Sequence, residues 1–427
     1  MTITLMIATV TVEPGWAVGA LAMDDPAIDR DILLDAEGRP WVPGSALAGS
    51  LRAHLAQADP PADERLMGSR PPRNQAEAAA SVVSPLWIVG SAFTPDRADA
   101  RPGNPAAVEI TGQTAIDSER GAAAAGPLRF SRLAADGGTL TVYLRHDPGS
   151  EPLTDDDLRL IARWQPAIGR DRTKGCGRAT LTRLRHGPVD PATPDGASTW
   201  LSHSGPDLFE TVATCDVPCA GAGPEPWLQA SFGIVDGLLT SDGLPAKVAQ
   251  SRRRRGTPLI PGSTWKGIIR SRAEYIIRSR YGEQAACQDL TGCGTCVSCG
   301  IFGHQGQRAK LAFRDSYLED VPDTPLPVRT HVGIDRVSGG ARDALLFQTQ
   351  PLTAGQLHLR IDALDDVAPW VRNLIWHVLR DIDDGLIGVG SRTTRGLGTL
   401  RLTSPSEDPQ PVHVPALEDA APTEAAR

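Results

Sequence analysis

The alternation of apolar and polar positions predicts one series of elements that occurs twice along the chain. Each series opens with an apolar strand, continues through a helix, strand-like stretches and a second helix, and closes with a last strand. The predicted strands are Ile3–Val12, Leu140–Leu144 and Ala179–Leu184, then Trp227–Ile234, Leu357–Ile361 and Gly398–Leu402. The predicted second helices are Asp155–Trp164 and Pro369–Ile382. This order is the ferredoxin-like α+β plan, which RNA-recognition folds share.

A ten-residue motif marks the first helix of each series. PGSALAGSLR at Pro43–Arg52 returns as PGSTWKGIIR at Pro261–Arg270, and the Pro, first Gly, Ser, second Gly and Arg keep their places. The serine, Ser45 or Ser263, can cap the helix. Three other motifs recur in the same order: Gly15-x3-Gly19 with Gly233-x3-Gly237, Ile116-Asp117-x3-Gly121 with Ile334-Asp335-x3-Gly339, and the glycine-rich loops at 169–177 and 390–398. The repetition predicts two copies of one domain.

The predicted duplication sets the domain limits. The first domain spans residues 1–200 and the second 224–404, joined by a Pro/Gly-rich linker at 201–223, in or beside which Leu208–Cys215 could form a strand. Residues 405–427 are rich in Pro, Ala and acidic side chains, which predicts a disordered acidic tail. The 427 residues give each domain enough length for its own core.

Charge and hydropathy limit the classes of function. A formal net charge of −8 argues against a protein that coats nucleic acid with its whole surface. Residues 252–280 are nonetheless strongly basic, and Arg252–Arg255 at their start is interpreted as a flexible loop that contacts nucleic acid without base specificity. Every apolar run is too short for a membrane helix, and the apolar start lacks the basic segment of a signal peptide. We therefore expect a cytoplasmic protein with no membrane partner.

Cysteine spacing predicts a metal site in the second domain. The pattern C-x5-C-x2-C-x2-C brings four thiolates within reach of one Zn²⁺, and interposed glycines permit tight turns. The predicted ligands of this structural zinc are Cys287, Cys293, Cys296 and Cys299, with His304 as a possible substitute. Two disulfides are the alternative, which the expected reducing compartment disfavours. The first domain has no cysteine in its matching stretch, so it must close without metal, and Cys176, Cys215 and Cys219 are expected to be ordinary thiols.

Cations beside glycine-rich loops and helix starts are candidate contacts for a sugar-phosphate backbone. Exposed amides of the two loops, with fixed positive charge beside them, suit a phosphate. The N-terminal amides of the motif helices, with cations in the first turns, suit it as well. A solvated basic face is the alternative for any single residue. The candidates are Ser45, Arg52, Lys174, Arg178, Ser263, Lys266, Arg270, Arg336, Arg392 and Arg395.

Acidic residues cluster just before the first Pro-Gly-Ser motif. They are Asp24, Asp25, Asp29, Asp31 and Asp35, whereas the second copy has only Asp236 and Asp242 there and carries Lys247 at the position of Asp29. Such a cluster is commonly a solvated surface. Its functional alternative is a carboxylate that acts with Mg²⁺ or a 2′-hydroxyl in RNA strand scission.

These motifs resemble the RAMP superfamily of CRISPR-associated proteins, and more narrowly the backbone subunits of type III effector complexes. The resemblance rests on Pro-Gly-Ser-x3-Gly-x2-Arg, Cys296–Gly303, Val332–Arg336 and the terminal Gly-x-Gly loops, and it spans both copies. Fusions of two such subunits are known in type III-D-like systems, which this chain looks most like. The resemblance implies two tandem ferredoxin-like domains, each with an inserted β-hairpin called a thumb, and a zinc-binding insertion in the second.

The resemblance also implies a mechanism. Subunits of this kind hold crRNA in filaments with other effector subunits, and each thumb displaces one base pair of the guide–target duplex. The thumb segments match the regions around Ile116-Asp117 and Ile334-Asp335-Arg336. Subunits that cut target RNA use an Asp before the Pro-Gly-Ser motif. That residue aligns with Asp29, or with Asp24 when counted from Gly19; in the second copy only Asp242 is a candidate.

Three functions stay open at this point. The first is a crRNA-binding backbone subunit that also cuts target RNA, as a metal-dependent endoribonuclease. The second is an endoribonuclease that processes the CRISPR repeat transcript, a role that typically needs a general acid–base group, often a histidine. The third is a non-catalytic RNA-binding scaffold.

Overall fold

The computed structural model describes residues 2–20, 25–70, 81–97, 108–117, 122–124, 126, 128–148, 151–221, 223, 225–241, 246–288, 292–322, 326–405 and 410–418. The chain divides into two compact units. Unit 1 comprises Met1–Ile110, Arg132–Arg172 and Cys176–Pro224, and unit 2 comprises Thr111–Ser131, Thr173–Gly175 and Glu225–Arg427. The domain limits given above stay a prediction.

The elements are numbered in chain order. The strands are β1 (Ile3–Val12), β2 (Leu86–Pro95), β3 (Val108–Gln113), β4 (Ile116–Asp117), β5 (Ala122–Ala123), β6 (Arg129–Ala134), β7 (Gly138–His146), β8 (Ala179–Val189), β9 (Cys215–Val217), β10 (Leu228–Ile234), β11 (Val248–Gln250), β12 (Arg253–Arg254), β13 (Thr257–Ile260), β14 (Leu311–Phe313), β15 (Ser316–Glu319), β16 (Arg329–Ile334), β17 (Ala341–Gln350), β18 (Gln356–Ala363) and β19 (Leu400–Ser404). The helices are α1 (Gly44–Ala58), α2 (Pro60–Met67), α3 (Asp155–Ala162), α4 (Pro194–Ser202), α5 (Pro206–Val212), α6 (Gly262–Tyr281), α7 (Val297–Phe302), α8 (Pro369–Asp383) and α9 (Pro415–Glu418).

Unit 1 is built on an antiparallel sheet in the order β2-β7-β1-β8-β9. Helix α1 connects β1 to β2, and α3 connects β7 to β8, so the first four strands follow the split β-α-β plan of ferredoxin-like folds. Strand β1 is apolar on both faces because both are covered. Met6 packs in the core with α1 and α3, whereas Leu5 packs with Phe209 of α5 on the other face.

Unit 2 has a sheet with the same central order, β15-β18-β10-β19, extended by β13 and β12 at one edge. Strand β14 also pairs with β18, so β14 and β15 together take the place that β2 has in unit 1. Helices α6 and α8 supply the buried Trp265 and Trp376 to a core shared with Phe232 of β10. The α+β class predicted from the sequence is therefore confirmed.

Two hairpins interrupt the sheet connections. Strand β3 pairs with β6, and β4 pairs with β5, between β2 and β7. Strand β16 pairs with β17 between β15 and β18, and β11 adds to β17 in parallel. Both lie at the segments for which the resemblance implies thumbs.

Five expectations about local structure need correction. Pro43 and Pro261 are the N-cap residues, and their side chains carry no acceptor, so Ser45 and Ser263 lie in the first turn rather than at the cap. The segment 201–223 is not a bare linker, because α5 and β9 lie within it and β9 extends the sheet. The strand expected at Leu208–Cys215 is mostly helix α5.

The remaining two corrections concern the basic segment Arg252–Arg255 and the acidic tail. Arg252–Arg255 is no flexible loop: β12 pairs with β13, and Arg252 and Arg254 are only 7% and 2% exposed. The predicted disordered tail is packed over part of its length. Val412 and Val414 are buried, and Tyr281 Oη donates to the Val412 carbonyl oxygen at 3.2 Å and accepts from the Val414 amide at 3.0 Å.

Candidate metal site and nucleic-acid interface

Four cysteine side chains of unit 2 converge between the end of α6 and helix α7. The four Sγ atoms all lie within 4.8 Å of one another, and they belong to Cys287, Cys293, Cys296 and Cys299. Cys296 is the N-cap of α7 and Cys299 lies within that helix, so one short helix presents two sulfurs. Gly292 and Gly294, on either side of Cys293, have φ of +86° and +79°, the left-handed region that glycine adopts readily. The cluster could hold a metal ion such as zinc.

Neighbouring donors orient these sulfurs. The Cys293 amide donates to Cys287 Sγ at 3.0 Å, and Arg270 Nη2 lies 3.7 Å from Cys299 Sγ. Arg278 Nη1 donates to the Cys287 carbonyl oxygen at 3.0 Å. Such outer contacts fix metal ligands and balance thiolate charge. The alternative ligand His304 is not among the four grouped side chains; its Nδ1 accepts from the Gly306 amide at 3.2 Å.

The thiols of the cluster differ in acidity. Hydrogen bonds from the side chain and backbone of Thr295 lower the pKa of Cys293 to about 5. Burial, together with interactions with Cys296 and Cys287, raises the pKa of Cys299 to about 12. Because a divalent cation favours the thiolate form, binding a metal here requires release of the Cys299 proton at neutral pH.

The start of helix α6 is already occupied by a carboxylate. The Gly262 amide donates to Asp315 Oδ1 at 2.7 Å, and Asp315 Oδ2 pairs with Arg254 Nη1 at 2.5 Å. The expectation that this first amide holds a phosphate therefore does not fit unit 2. Lys266, one turn into the helix, keeps its ammonium at the half-buried surface, where Nζ donates to Thr173 Oγ1 at 3.2 Å.

The arginine that ends the repeated motif has equivalent partners in the two units. Arg52 Nη2 donates to the carbonyl oxygen of Gly68 at 2.9 Å, and Arg270 Nη1 donates to that of Gly303 at 3.0 Å. Gly68 and Gly303 are the C-cap residues of α2 and α7. Each arginine therefore holds the end of the helix that follows its own. The RNA contact expected of these two residues stays a prediction.

The second glycine of the motif faces open space. A Cβ at Gly49 or at Gly267 would meet no described atom within 4 Å outside its own helix, and both residues are exposed. Ser45 and Ser263 lie four positions earlier, hence on the same helix face. A mid-helix glycine lowers helix stability relative to alanine, and packing within the described part of the chain does not require one here.

The two glycine-rich loops share one backbone conformation. Each holds a 3-10 turn, Arg172–Lys174 or Thr393–Arg395. The φ angle is positive at Gly169, Asp171, Gly175 and Gly177, and at the corresponding Gly390, Arg392, Gly396 and Gly398. A Cβ at Gly177 or Gly398 would lie 1.9 or 2.3 Å from a backbone carbonyl oxygen. The loops need these last two glycines for their own close backbone approaches.

The cations of these loops differ in their surroundings. Arg178 Nη1 pairs with Glu13 Oε1 at 2.8 Å, and Lys174 is half-buried. The Cζ atom of Arg392 lies 4.4 Å from the ring centroid of Phe347. Arg395 is exposed. Their expected contacts with RNA stay predictions.

Arginines neutralise most of the described acidic cluster. Arg132 pairs with Asp25 at 3.1 Å and with the buried Asp31 at 2.7 Å, and Arg39 pairs with Asp35 at 2.7 Å. Arg170 of the glycine-rich loop donates to the carbonyl oxygens of Asp31 and Arg132 at 2.6 and 2.8 Å. These bonds bring the acidic loop of unit 1 beside its glycine-rich loop. Sequence reasoning missed Arg132 and Arg170 because Asp31, which both contact, is 101 positions from Arg132 and 139 positions from Arg170.

Of the three candidate catalytic carboxylates, the structure describes only Asp29. Asp29 is an exposed residue of the acidic loop, within two positions of Asp31. Asp24 and Asp242 lie outside the described residues. Lys247, at the matching position of the second copy, is exposed.

The β16–β17 hairpin of unit 2 presents apolar and basic side chains to solvent. Ile334 is 65% exposed, Val337 at the turn is 98% exposed, and Arg336 between them is exposed. Asp335 Oδ1 accepts hydrogen bonds from the amides of Val337 and Ser338, both at 2.9 Å, which lower the pKa of its carboxyl. Asp335 therefore shapes the turn, and Arg336 projects from it.

A group of three polar side chains around His358, on the sheet of unit 2, was not predicted. His358 of β18 shares a hydrogen bond with Ser231 Oγ of β10 at 2.8 Å, and its other ring nitrogen lies 3.4 Å from Glu319 Oε2 of β15. The three residues are brought together only by strand order, so the sequence carries no local signal for them.

Residues 220–401 match the family model of the RAMP superfamily, and this match supports a CRISPR-associated RAMP protein. The match covers the larger part of unit 2, including the motif helix, the four cysteines and the second glycine-rich loop. A search of curated proteins finds no match to the chain. Among the described residues, no helix is both long and apolar enough to cross a membrane.

Proposed function

We propose that this protein is a crRNA-binding backbone subunit of a type III CRISPR effector complex in antiviral defence. It would act in the cytoplasm with crRNA, target RNA and the other effector subunits as partners. The family match supports the class, and the arrangement of the motif helices supports the RNA-binding role.

The exposed glycine of each motif helix is the observation that carries the proposal. Gly49 and Gly267 cost helix stability and face open space, so an external group that approaches the helix closely accounts for both. Ser45 and Ser263 lie on the same face, and Lys266 is adjacent to Gly267. A hydroxyl donor, a bare helix surface and a cation are the features with which proteins hold a sugar-phosphate backbone.

The β16–β17 hairpin supports a role in opening the guide–target duplex. Its exposed Ile334 and Val337 would insert between bases, as apolar wedges do in nucleic acids, while Arg336 would contact the backbone. The hairpin at β3–β6 would act in the same way in the first copy.

Tandem duplication of a type III-D-like subunit is part of the proposal. Its support is the same central strand order in the two units and the matching φ angles of the two glycine-rich loops. The four cysteines would hold a structural zinc in the second copy only. In the first copy, Arg52 and the buried Asp63, 3.5 Å apart, would close the corresponding region without metal.

Target cleavage would belong to the acidic loop of the first copy. Asp29 is the proposed residue, because it is exposed in the acidic loop and aligns with the Asp that the resemblance places before the Pro-Gly-Ser motif. Its carboxylate would help to position Mg²⁺ or the attacking 2′-hydroxyl. Asp24 and Asp242 are the alternatives.

The cleavage test uses the assembled complex with guide and matched target RNA. Asp29→Asn should abolish one cut and leave guide and target binding within about twofold, because the carboxylate acts on the transition state. Asp24→Asn and Asp242→Asn are the matched controls that choose between the alignments. If all three variants cut like the wild type, the acidic loop is not catalytic and the scaffold role is correct.

Repeat-transcript processing is the second candidate function, and one observation favours it. Ser231, His358 and Glu319 form an acid–base chain on the sheet of unit 2, the kind of group that cleaves RNA without metal. His358→Ala should then abolish cleavage of a repeat RNA by the isolated protein. Unchanged cleavage, or none by the wild type, removes this candidate.

A further inference from the structure

One aromatic ring in unit 2 joins the hairpin to the glycine-rich loop. The His331 imidazole of β16 stacks on the Phe347 ring of β17, with 5.0 Å between centroids and 14° between planes. The Arg392 guanidinium of the loop lies against the same ring, with Cζ 4.4 Å from its centroid. Guanidinium groups stack well on aromatic faces because they are planar and weakly hydrated. We call these three side chains the stacked cluster.

The stacked cluster is anchored on both sides. His331 Nε2 lies 3.0 Å from Oγ1 of Thr349, which is buried beside the base of the hairpin. On the loop side, the Ser391 amide donates to the Leu239 carbonyl oxygen at 2.7 Å. The Phe347 ring therefore contacts both the hairpin and the glycine-rich loop, and each of these two segments is held by a hydrogen bond to another residue of unit 2.

The backbone of Arg392 is held in an unfavourable conformation. Its φ is +62°, a left-handed value that is uncommon for residues other than glycine. Arg392 is the N-cap residue that precedes the 3-10 turn, and the Arg395 amide donates to its carbonyl oxygen at 2.9 Å. Burial, and then the charge of Arg395, lower the pKa of Arg392. A residue kept in this state despite its cost has a local purpose, and contact with Phe347 provides one.

The corresponding position in unit 1 makes a different connection. Asp171 is also left-handed, with φ of +55°, and its carboxylate lies 3.5 Å from Arg30 Nη1 of the acidic loop. In each unit, therefore, the residue before the 3-10 turn ties the glycine-rich loop to the neighbouring segment. The neighbour is the acidic loop in unit 1 and the hairpin in unit 2.

We infer that Phe347, His331 and Arg392 are positioning residues that fix the β16–β17 hairpin against the glycine-rich loop, so that the exposed tip separates a base pair at a defined place. Arg392 then serves the hairpin rather than a phosphate, and Arg395 is the loop cation left for RNA. The inference rests on the proposed function, because it assigns the hairpin a duplex to separate. An apolar wedge needs a rigid base, since a mobile tip would lose the bases it displaces.

Two variants test the inference. Arg392→Gly keeps the left-handed backbone, because glycine adopts it freely, and removes the side chain whose guanidinium lies against Phe347. Phe347→Leu keeps apolar volume and removes the aromatic face. Arg401→Gly is the control, since Arg401 is an exposed arginine of β19 that bonds to Asp383.

The first measurement is hydrogen exchange of amides 329–350 in the RNA-free protein. We expect both variants to exchange at least about fivefold faster there, with the rest of unit 2 unchanged. The second is fluorescence of 2-aminopurine placed in the target opposite the hairpin tip. We expect the unstacking signal to fall by at least half, while guide binding stays within twofold.

The outcomes separate the two proposals. The inference is wrong if amide hydrogen exchange and 2-aminopurine fluorescence in both variants equal those of the wild type, even if the wild-type complex opens the duplex. A wild-type complex that shows no unstacked base would overturn the hairpin's proposed function, whereas the exchange measurement would still decide whether the stacked cluster fixes the hairpin. If Phe347→Leu fails to fold, Arg392→Gly decides alone.

Discussion

Arg270 Nη2 lies 3.7 Å from Cys299 Sγ, while its Nη1 donates to the carbonyl oxygen of Gly303. One side chain of the repeated motif therefore links helix α6 to the cysteine cluster and to the end of α7. Burial lowers the pKa of the Arg270 guanidinium, but the hydrogen bond to Glu274, 2.8 Å away, and the charges of Cys299 and Cys287 outweigh burial and raise it. In unit 1, Arg52 makes the corresponding bond to Gly68 without any cysteine.

This difference predicts opposite results for two matched variants. Arg270→Ala should weaken metal binding about 10- to 100-fold, because it removes an outer contact of a metal ligand. Arg52→Ala should leave metal binding unchanged and lower the stability of unit 1 by about 1–3 kcal/mol, because carbonyl groups and Asp63 lose their donor. A competition titration with a zinc chelator and thermal unfolding check the two effects. Equal metal affinity in both variants would show that Arg270 does not support the cluster.

Metal content and its pH dependence test the cysteine site. We expect about one zinc per chain, lost together with stability in Cys296→Ser, because metal binding and folding are coupled at such sites. Cys215→Ser, at an exposed thiol outside the cluster, is the control. A folded wild type without zinc would contradict the assignment.

The acidity of the thiols gives the sign of the pH effect. The metal-free site holds the Cys299 proton up to a pKa of about 12, whereas Cys293 is protonated only below about 5. Because metal binding releases protons, zinc affinity should rise from pH 6 to pH 8 and fall steeply as Cys293 also becomes protonated near pH 5. Calorimetry in buffers of different ionisation enthalpy measures the released protons. An affinity independent of pH would mean that the thiols do not bind the metal.

Replacing either motif glycine with alanine should raise thermal stability but weaken RNA binding. Gly49→Ala and Gly267→Ala should raise the thermal stability by up to about 1 kcal/mol each, because alanine is the better helix former and the Cβ meets open space. The same variants should weaken RNA binding at least about tenfold if the RNA backbone lies against these helix faces. Gly205→Ala, outside the motif helices, is the control. Its φ of +55° predicts lower thermal stability, and its RNA affinity should stay unchanged. Greater stability with unchanged RNA affinity would remove the glycine face from the RNA path.

Most of the fold could be predicted from local patterns, because the strands and helices around the motifs are set by apolar periodicity. Strand β1 has the bounds that its apolar run predicts, and α6 begins directly after Pro261. The helix α5 was missed because Pro206, which suits the first turn of a helix, was interpreted as part of a loop. The burial of Arg252 and Arg254 was missed because their setting depends on Asp315 and on the strand pairing of β12 and β13.

The candidate site was predictable to the extent that its residues are close in sequence. The four cysteines are such a case, since 12 positions at most separate them and spacing alone suggested their convergence. The pairing of Arg132 with Asp31, the stacking of Arg392 on Phe347 and the contact of His358 with Ser231 each join residues that are far apart in sequence. Sequence patterns give no direct sign of such contacts.

The central claim is that the chain holds a guide RNA. Its most direct test is to purify the protein with its natural partner subunits and to sequence the RNA that accompanies it. We expect RNAs of one or a few fixed lengths that carry CRISPR spacer sequence, and their loss when Lys266 and Arg395 are both changed to alanine. RNA of random length and origin, or a well-folded complex that carries none, would contradict it.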